Sequence, residues 1–374
     1  MRRRVLTVTL AVVLVAVSVG CRPARAGTRC SGNDWGDDGS FVLACRGGRW
    51  VRVMTRGQAA TALSSLLRAG KAPAVGSVVR PTSFGAPNLP NTADPSVYVD
   101  GATTYVYATS TWLRVPVVAL PSPETTVSLS ALYSLAHDAM PQRPAWAAST
   151  EIWAPTVSRI GGRMVMFFAA HRTAPPDPTN DQCGGRATAD SPTGPFVPDA
   201  SPVSCGADGV HGALDPSIFV GPDGAAHLLV AMGGSATNIW TYPLGPAGDI
   251  SGPPTSLLTR AQPWQDHFLE NPAMFYDGST YLLAYSAGRW DSAAYMEGLA
   301  RCASPPGPCT DRPDGPWLSS LGDRVGPGGL EFFVGPDGVA RVAFESYAAG
   351  DVGPVGKRST HIRPFVTDPW PRLG

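Results

Sequence analysis

The chain has 374 residues, with 29 Lys+Arg balanced by 29 Asp+Glu, 43% hydrophobic residues and only 16% charged ones. Charge well below the roughly 25% of ordinary soluble domains, beside an ample apolar fraction, excludes wholesale disorder and permits a large core. The zero formal charge leaves no basic footprint for nucleic acid, and 42 Gly with 38 Pro, free of any Gly-X-Y period, point to many turns and short strands.

Residues 1–26 read as a secretory signal. Arg2, Arg3 and Arg4 precede an uncharged apolar run from Val5 to Val19, and Ala24-Arg25-Ala26 follows as a small-residue cleavage pattern. The run is shorter than the roughly 20 residues that cross a bilayer, so no transmembrane span is expected after its removal. Cys21 offers a lipid anchor as the alternative, although Ser18 stands where a lipobox usually carries Leu. Cleavage after Ala26 removes five arginines and no acid, leaving a net charge of −5.

Six cysteines remain: Cys30, Cys45, Cys183, Cys205, Cys302 and Cys309. In an oxidising compartment an even set suggests disulfides, and the simplest of the fifteen pairings joins sequence neighbours. No pair has C-x-x-C spacing, which disfavours zinc. Within residues 27–80, Cys30 and Cys45 bracket a Gly/Asp-rich stretch that leads into Gly47-Gly48-Arg49-Trp50, the pattern of a stapled hairpin. Thr55 then caps a predicted helix through Leu67, with Ala59, Ala60, Leu63, Leu66 and Leu67 as its apolar stripe and Gly70 as its stop. These residues read as a packing appendage to the domain of residues 81–374.

From Asp94 onward one hairpin-like pattern recurs five times. Each copy is an apolar strand, a tight turn and a second apolar strand. The turns are Asp100-Gly101, Gly161-Gly162, Asp223-Gly224, Asp277-Gly278 and Asp337-Gly338, spaced by 61, 62, 54 and 60 residues. A unit near 60 residues holds about two more strands than a hairpin, which makes a four-stranded sheet that needs neighbours on both faces. The prediction is therefore an all-β, five-bladed β-propeller carrying a small disulfide-stapled N-terminal appendage. A second repeat agrees: residues 187–196 align with residues 300–309 at an offset of 113, two blades apart, and both contain Ser-Pro-x-Gly-Pro turn chemistry.

Asp94 and Asp215 stand immediately before a proline at the head of a blade, and Glu270 stands two before Pro272. First strands line the axis of a propeller, so these three acids should converge at one mouth of the channel. Asp before Pro is ordinary turn chemistry when taken alone. Glu270, inside an apolar run from Phe268 to Phe275, is harder to explain structurally. Acids held together in a nearly dry site repel, so at least one should keep its proton above the usual pKa. One carboxylate to activate water and one carboxylic acid to protonate a leaving oxygen is the apparatus of glycoside hydrolysis.

With Ala93-Asp94-Pro95-Ser96, Ile152-Trp153-Ala154-Pro155, the stretch from Gly185 to Phe196, the stretch from Leu214 to Val220, Leu269-Glu270-Asn271-Pro272 and Gly326-Pro327-Gly328-Gly329 in this order, the chain resembles the family 43 glycoside hydrolases over about residues 85–350. That group contains arabinanases, α-L-arabinofuranosidases and β-xylosidases. The resemblance implies that Asp94 is the general base, Glu270 the general acid, and Asp215 the residue that raises and orients Glu270. It also implies inversion at the anomeric carbon, for which base and acid stand roughly 6.5 to 9.5 Å apart. Two positions depart from the pattern. Asn271 stands where the family more often has a small residue. Gly329 stands where many members carry a His that helps hold an ion on the axis, so no calcium site is expected from it.

Trp153, His211, His267 and Arg289 are the candidate substrate contacts, a stacking ring and three groups that can donate to sugar hydroxyls. Glu331 and Asp277 read as blade structure. No cofactor and no metal is implied, since the sequence has neither a Gly-rich phosphate loop opening a helix nor a metal-ligand cluster. The expectation is a secreted monomer that hydrolyses arabinose- or xylose-containing plant polysaccharides or oligosaccharides. The alternative is a non-catalytic carbohydrate-binding propeller.

Overall fold

The computed structural model describes residues 22–23, 25–30, 35–37, 41–46, 48–55, 83–175, 181–207, 210–234, 237–367 and 372–373. The apolar run of the signal, Cys21 and nearly all of the helix expected from Thr55 to Leu67 lie outside the described residues. The chain divides into two compact units, Met1–Arg80 and Pro81–Gly374.

In the first unit, β1 (Arg22–Pro23), β2 (Trp35–Asp37), β3 (Phe41–Arg46) and β4 (Arg49–Thr55) form one sheet in that order. The Cys30–Cys45 disulfide ties the segment before β2 to β3, and Leu43, Cys45 and Trp50 make its small core.

The second unit is a five-bladed β-propeller. Blade I contains β5 (Ser96–Asp100), β6 (Thr103–Tyr107), β7 (Pro116–Leu120) and β8 (His137–Asp138), with the short helix α1 (Leu129–Leu135) before its last strand. Blade II contains β9 (Trp153–Ile160), β10 (Arg163–His171), β11 (Gln182–Ala189) and β12 (Val197–Pro198). A two-stranded hairpin of β13 (Gly206–Ala207) and β14 (Val210–His211) precedes blade III, which has β15 (Leu214–Val220), β16 (Ala226–Met232), β17 (Asn238–Leu244) and β18 (Thr255–Leu258). Blade IV has β19 (Leu269–Tyr276), β20 (Tyr281–Ala287), β21 (Met296–Cys302) and β22 (Cys309–Asp311). Blade V has β23 (Arg324–Val334), β24 (Ala340–Ala348), β25 (Arg358–Val366) and β26 (Arg372–Leu373). Each blade is a four-stranded meander, and the innermost strands touch in the ring β5, β9, β15, β19, β23 and back to β5.

Both faces of each blade are covered by a neighbour, which explains why the second strands of blades II, III and IV are nearly continuous apolar runs rather than alternating ones. Met164–Ala170 of β10 is buried at every position. Five apolar layers result, one at each blade junction. Examples are Val117 of blade I with Met166 of blade II, and Val106 of blade I with Ala343 of blade V. The hairpin glycines Gly101, Gly162, Gly224, Gly278 and Gly338 all have positive φ, as the turn dipeptides require. The repeat at residues 187–196 and 300–309 falls at the same outer turn of blades II and IV, and both copies contain a cis Gly-Pro bond.

The ring is closed by residues 84–92 rather than by apolar contact alone. Leu89 and Thr360 exchange two backbone hydrogen bonds at the outer edge of β25, and Thr92 Oγ1 donates to Thr360 Oγ1 at 2.8 Å. Arg363 donates to the carbonyls of Phe84 and Ala86 and to Asn88 Oδ1. The first residues of the domain are thereby fixed to its last blade, which holds blades I and V at one spacing.

Candidate active site

The five blades begin in one backbone conformation. Asp94, Ala154, Asp215 and Asn271 each precede a proline and have φ of 50°, 43°, 48° and 47°, and Gly329 has 59° at the same place in blade V. A following proline drives a residue away from the right-handed helical region, and a left-handed non-glycine residue persists only when its surroundings hold it. Here side chains of other blades accept the N–H of four of the five. Asp94 donates to Glu345 Oε2 (2.6 Å), Ala154 to Thr109 Oγ1 (2.8 Å), Asn271 to Asp215 Oδ2 (3.1 Å) and Gly329 to Ser286 Oγ (2.9 Å).

All five residues line a hollow of about 20 Å³ on the axis, enough for one water. Glu331 lies there, and burial pushes its carboxyl up to about 8. Asp94, Asp215 and Asn271 also border a cleft of about 370 Å³, together with Glu270, Thr109, Trp153, Gln182, Leu214, Trp290 and Arg358. The three acids singled out in the sequence therefore share one cavity, although they come from blades I, III and IV.

The acids have different surroundings. Asp94 accepts hydrogen bonds at both oxygens, from Thr109 Oγ1 at Oδ2 (2.5 Å) and from Arg358 Nη1 at Oδ1 (3.3 Å). Glu270 is 7% exposed and accepts the Tyr295 hydroxyl at 2.7 Å, and Asn271 Nδ2 in turn donates to that hydroxyl at 3.1 Å. Burial raises Glu270 to about 7 against the pull of Tyr295, with the Asp94 charge adding to the rise. Burial first, then the charges of Glu270 and Asp94, holds Asp215 well above the usual carboxylate range. Asp215 accepts the peptide N–H immediately after Glu270, so it fixes the backbone that carries that acid.

Trp153 borders the cleft with its ring edge-on to His171, centroids 4.6 Å apart. His211, His267 and Arg289 are outside the lining. His211 sits in β14, His267 is exposed beside Asp266, and the Arg289 guanidinium is taken by Asp291 through Nε and Nη2 at 3.1 and 2.8 Å. The next residue, Trp290, faces the cleft instead, and Arg358 lies 5.1 Å over its ring. Sequence reasoning missed Thr109, Gln182, Leu214, Trp290 and Arg358 on the wall, and Tyr295 and Glu345 behind it. A readable signal existed for Glu345, an acid within the apolar run of β24.

At the axial position where the resemblance suggests a histidine, a side chain on Gly329 would meet Glu345 Cδ at 3.2 Å and the Asp94 Cα at 3.3 Å. The chain does not supply that ligand. Among the described residues no set of three or more His, Cys, Asp or Glu is placed to hold a metal ion, and no helix is long and apolar enough to cross a membrane.

Residues 86–371 match the family model described as Glycosyl hydrolases family 43. A curated relative, "Xylosidase/arabinosidase 43A" of Humicola insolens, is 30% identical over 130 residues, which are 30% of this chain and 36% of that protein; the match thus spans about a third of its length. Among solved structures, a thermostable family-43 glycoside hydrolase superposes with a TM-score of 0.65 at 21% identity, covering 77% of this chain and 94% of the other. The α-L-arabinofuranosidase from Lactobacillus brevis gives 0.65 at 20% identity, with 79% and 98% covered. At these identities the two structures attest the fold.

Proposed function

Since this chain belongs to glycosyl hydrolase family 43, we propose that it is an exported, inverting glycosidase that cleaves arabinose- or xylose-containing polysaccharides or oligosaccharides. One observation carries the reading: Asp94 and Glu270, from blades I and IV, border one cleft in which Glu270 is raised to about 7 while Asp94 is held by two donors. Asp94 takes a proton from the attacking water. Glu270 gives its proton to the departing glycosidic oxygen. Asp215 acts on Glu270 through the Asn271 peptide. Trp153 and Trp290 offer apolar ring surface to a sugar, and Gln182 and Arg358 offer donors to its hydroxyls.

The pentose preference follows the printed name of the curated relative and the family. Export is supported by the arginine-led apolar N-terminus with its Ala24-Arg25-Ala26 pattern and by the disulfides Cys30–Cys45, Cys183–Cys205 and Cys302–Cys309, which suit an oxidising compartment.

The test is a panel of aryl pentosides, arabinan and xylan given to purified protein, with the anomer of the first product read by NMR. Release of the inverted anomer from arabinan or xylan, lost in Asp94→Asn and Glu270→Gln while thermal unfolding stays unchanged, is expected. Saccharide binding without turnover across the panel would instead make the chain a carbohydrate-binding propeller.

A further inference from the structure

Three of the four side chains that hold the left-handed blade starts occupy related places, the exception being Asp215 on the first strand of blade III. Ser286 and Glu345 lie on the second strands of blades IV and V, paired with Glu270 and Gly328, the residue just before their own blade's left-handed position. Thr109, just past β6, donates its N–H to the carbonyl of Ala93, the residue before Asp94. From these places each side chain reaches across to the next blade. Thr109 holds Ala154, Ser286 holds Gly329, and Glu345 holds Asp94. Two of the three show that a hydroxyl suffices to accept one peptide N–H.

Blade V uses a carboxylate instead, and that carboxylate is 0% exposed. Burying a charge costs far more than burying a hydroxyl unless it is paired. Its partner is Arg358, whose Nη1 stands 2.5 Å from Glu345 Oε1 and 3.3 Å from Asp94 Oδ1. Glu345 thus contacts the Asp94 peptide with one oxygen and the cation beside the Asp94 carboxylate with the other. Gly329 is part of the arrangement, because a Cβ there would press on Glu345 Cδ and Cγ at 3.2 and 3.4 Å.

We propose that Glu345 is a positioning residue that pins Arg358 against the Asp94 carboxylate while holding the Asp94 peptide in its left-handed conformation, in space left free by Gly329. The inference rests on the reading of Asp94 as the general base. The charged groups facing Glu345 are Arg358 and Asp94, and its charge also reaches Glu270 and Glu297. The hydroxyl latches of blades I and IV donate to carboxylates, Thr109 to Asp94 Oδ2 and Ser286 to Glu297 Oε1, but bring no charge of their own. A carboxylate at this place therefore sets the orientation of the guanidinium in addition to the backbone.

Glu345→Gln keeps an acceptor for the Asp94 N–H and removes the charge. Its kcat is expected to fall at least tenfold with KM changed less, and the alkaline limb of its pH profile to move to lower pH, because one of the charges that raise Glu270 is gone. Glu345→Thr, which copies the latch of blade I, keeps the test alive should the glutamine variant fail to fold, and the same loss is expected of it. Parental kcat and an unmoved alkaline limb in either folded variant overturn the proposal. A crystal structure of either variant reads the same point without turnover. Arg358 displaced from Asp94 supports the assignment, and Arg358 unmoved overturns it, even if no saccharide in the panel is cleaved and the hydrolase reading itself has failed.

Discussion

The N–H of Asn271 donates to Asp215 Oδ2 at 3.1 Å, so the acid of blade III grips the peptide bond next to Glu270 in blade IV. Asp215→Asn preserves an acceptor there and loses only charge, whereas Asp215→Ala loses both. The alanine variant is expected to lower kcat by about 10²-fold and the asparagine variant by clearly less, the scale at which supporting partners of reactive groups act. Steady-state kinetics with thermal melts on both variants check the order. Equal losses would place the whole effect in the charge.

Glu270 must carry its proton to act as an acid, and burial brings its pKa up to about 7. The alkaline limb of the rate profile is therefore expected to fall as pH rises through about 7, while protonation of the base Asp94 sets the acid limb. Glu270→Gln should lose 10²- to 10⁴-fold on a saccharide with a poor leaving group and far less on an aryl glycoside whose leaving group needs no proton. Comparing kcat/KM on the two substrate types separates loss of an acid from loss of fold.

The blades were legible because their starts and turns are written in residues with backbone consequences. Asp-Gly and Gly-Gly dipeptides take positive φ, and Asp94, Ala154, Asp215 and Asn271 before proline take the left-handed conformation. The acids were legible because they occupy or adjoin those special positions. Arg358 was not, since it opens the third strand of blade V and reaches the cleft only once residues 84–92 have closed the ring. Arg289 drew attention as a cation near the mouth, but Asp291, two residues on, captures it and leaves Trp290 to face the cleft. A local ion pair thus redirected the contact by one residue.

Four glutamates in blades IV and V have raised pKa values: Glu270 and Glu345 to about 7, Glu297 and Glu331 to about 8. Unfolded, each titrates near 4.5, so between about 4.5 and 8 the folded chain binds more protons than the unfolded one. Stability from these groups is fully present below about 4.5 and declines as pH rises through that window. Glu297 is 0% exposed, accepts from Ser286 and the Leu330 N–H at Oε1, and has no partner at Oε2 among the described residues. Melting temperature is expected to fall from pH 5 to pH 8, and Glu297→Gln to flatten that slope. A melting temperature that rises over this range would show that these acids are already ionised when buried.

Cys183–Cys205 joins β11 to the segment before β13 across a separation of 22 residues, whereas Cys302–Cys309 links directly paired residues of β21 and β22 across 7. Loop-closure entropy makes the longer link worth about 3 kcal/mol and the shorter about 2 kcal/mol. The geometry widens the difference. The ladder between β21 and β22 already holds Cys302 opposite Cys309, while Cys183 meets Cys205 through a chain turn whose nearest support is the pairing of Gly184 with Ser204. Paired Cys→Ser variants unfolded in urea are therefore expected to rank with the loss at 183 and 205 larger. Since Gln182, next to Cys183, lines the cleft, that variant should also raise KM, whereas the change at 302 and 309, on the outer edge of blade IV, should leave KM at the parental value.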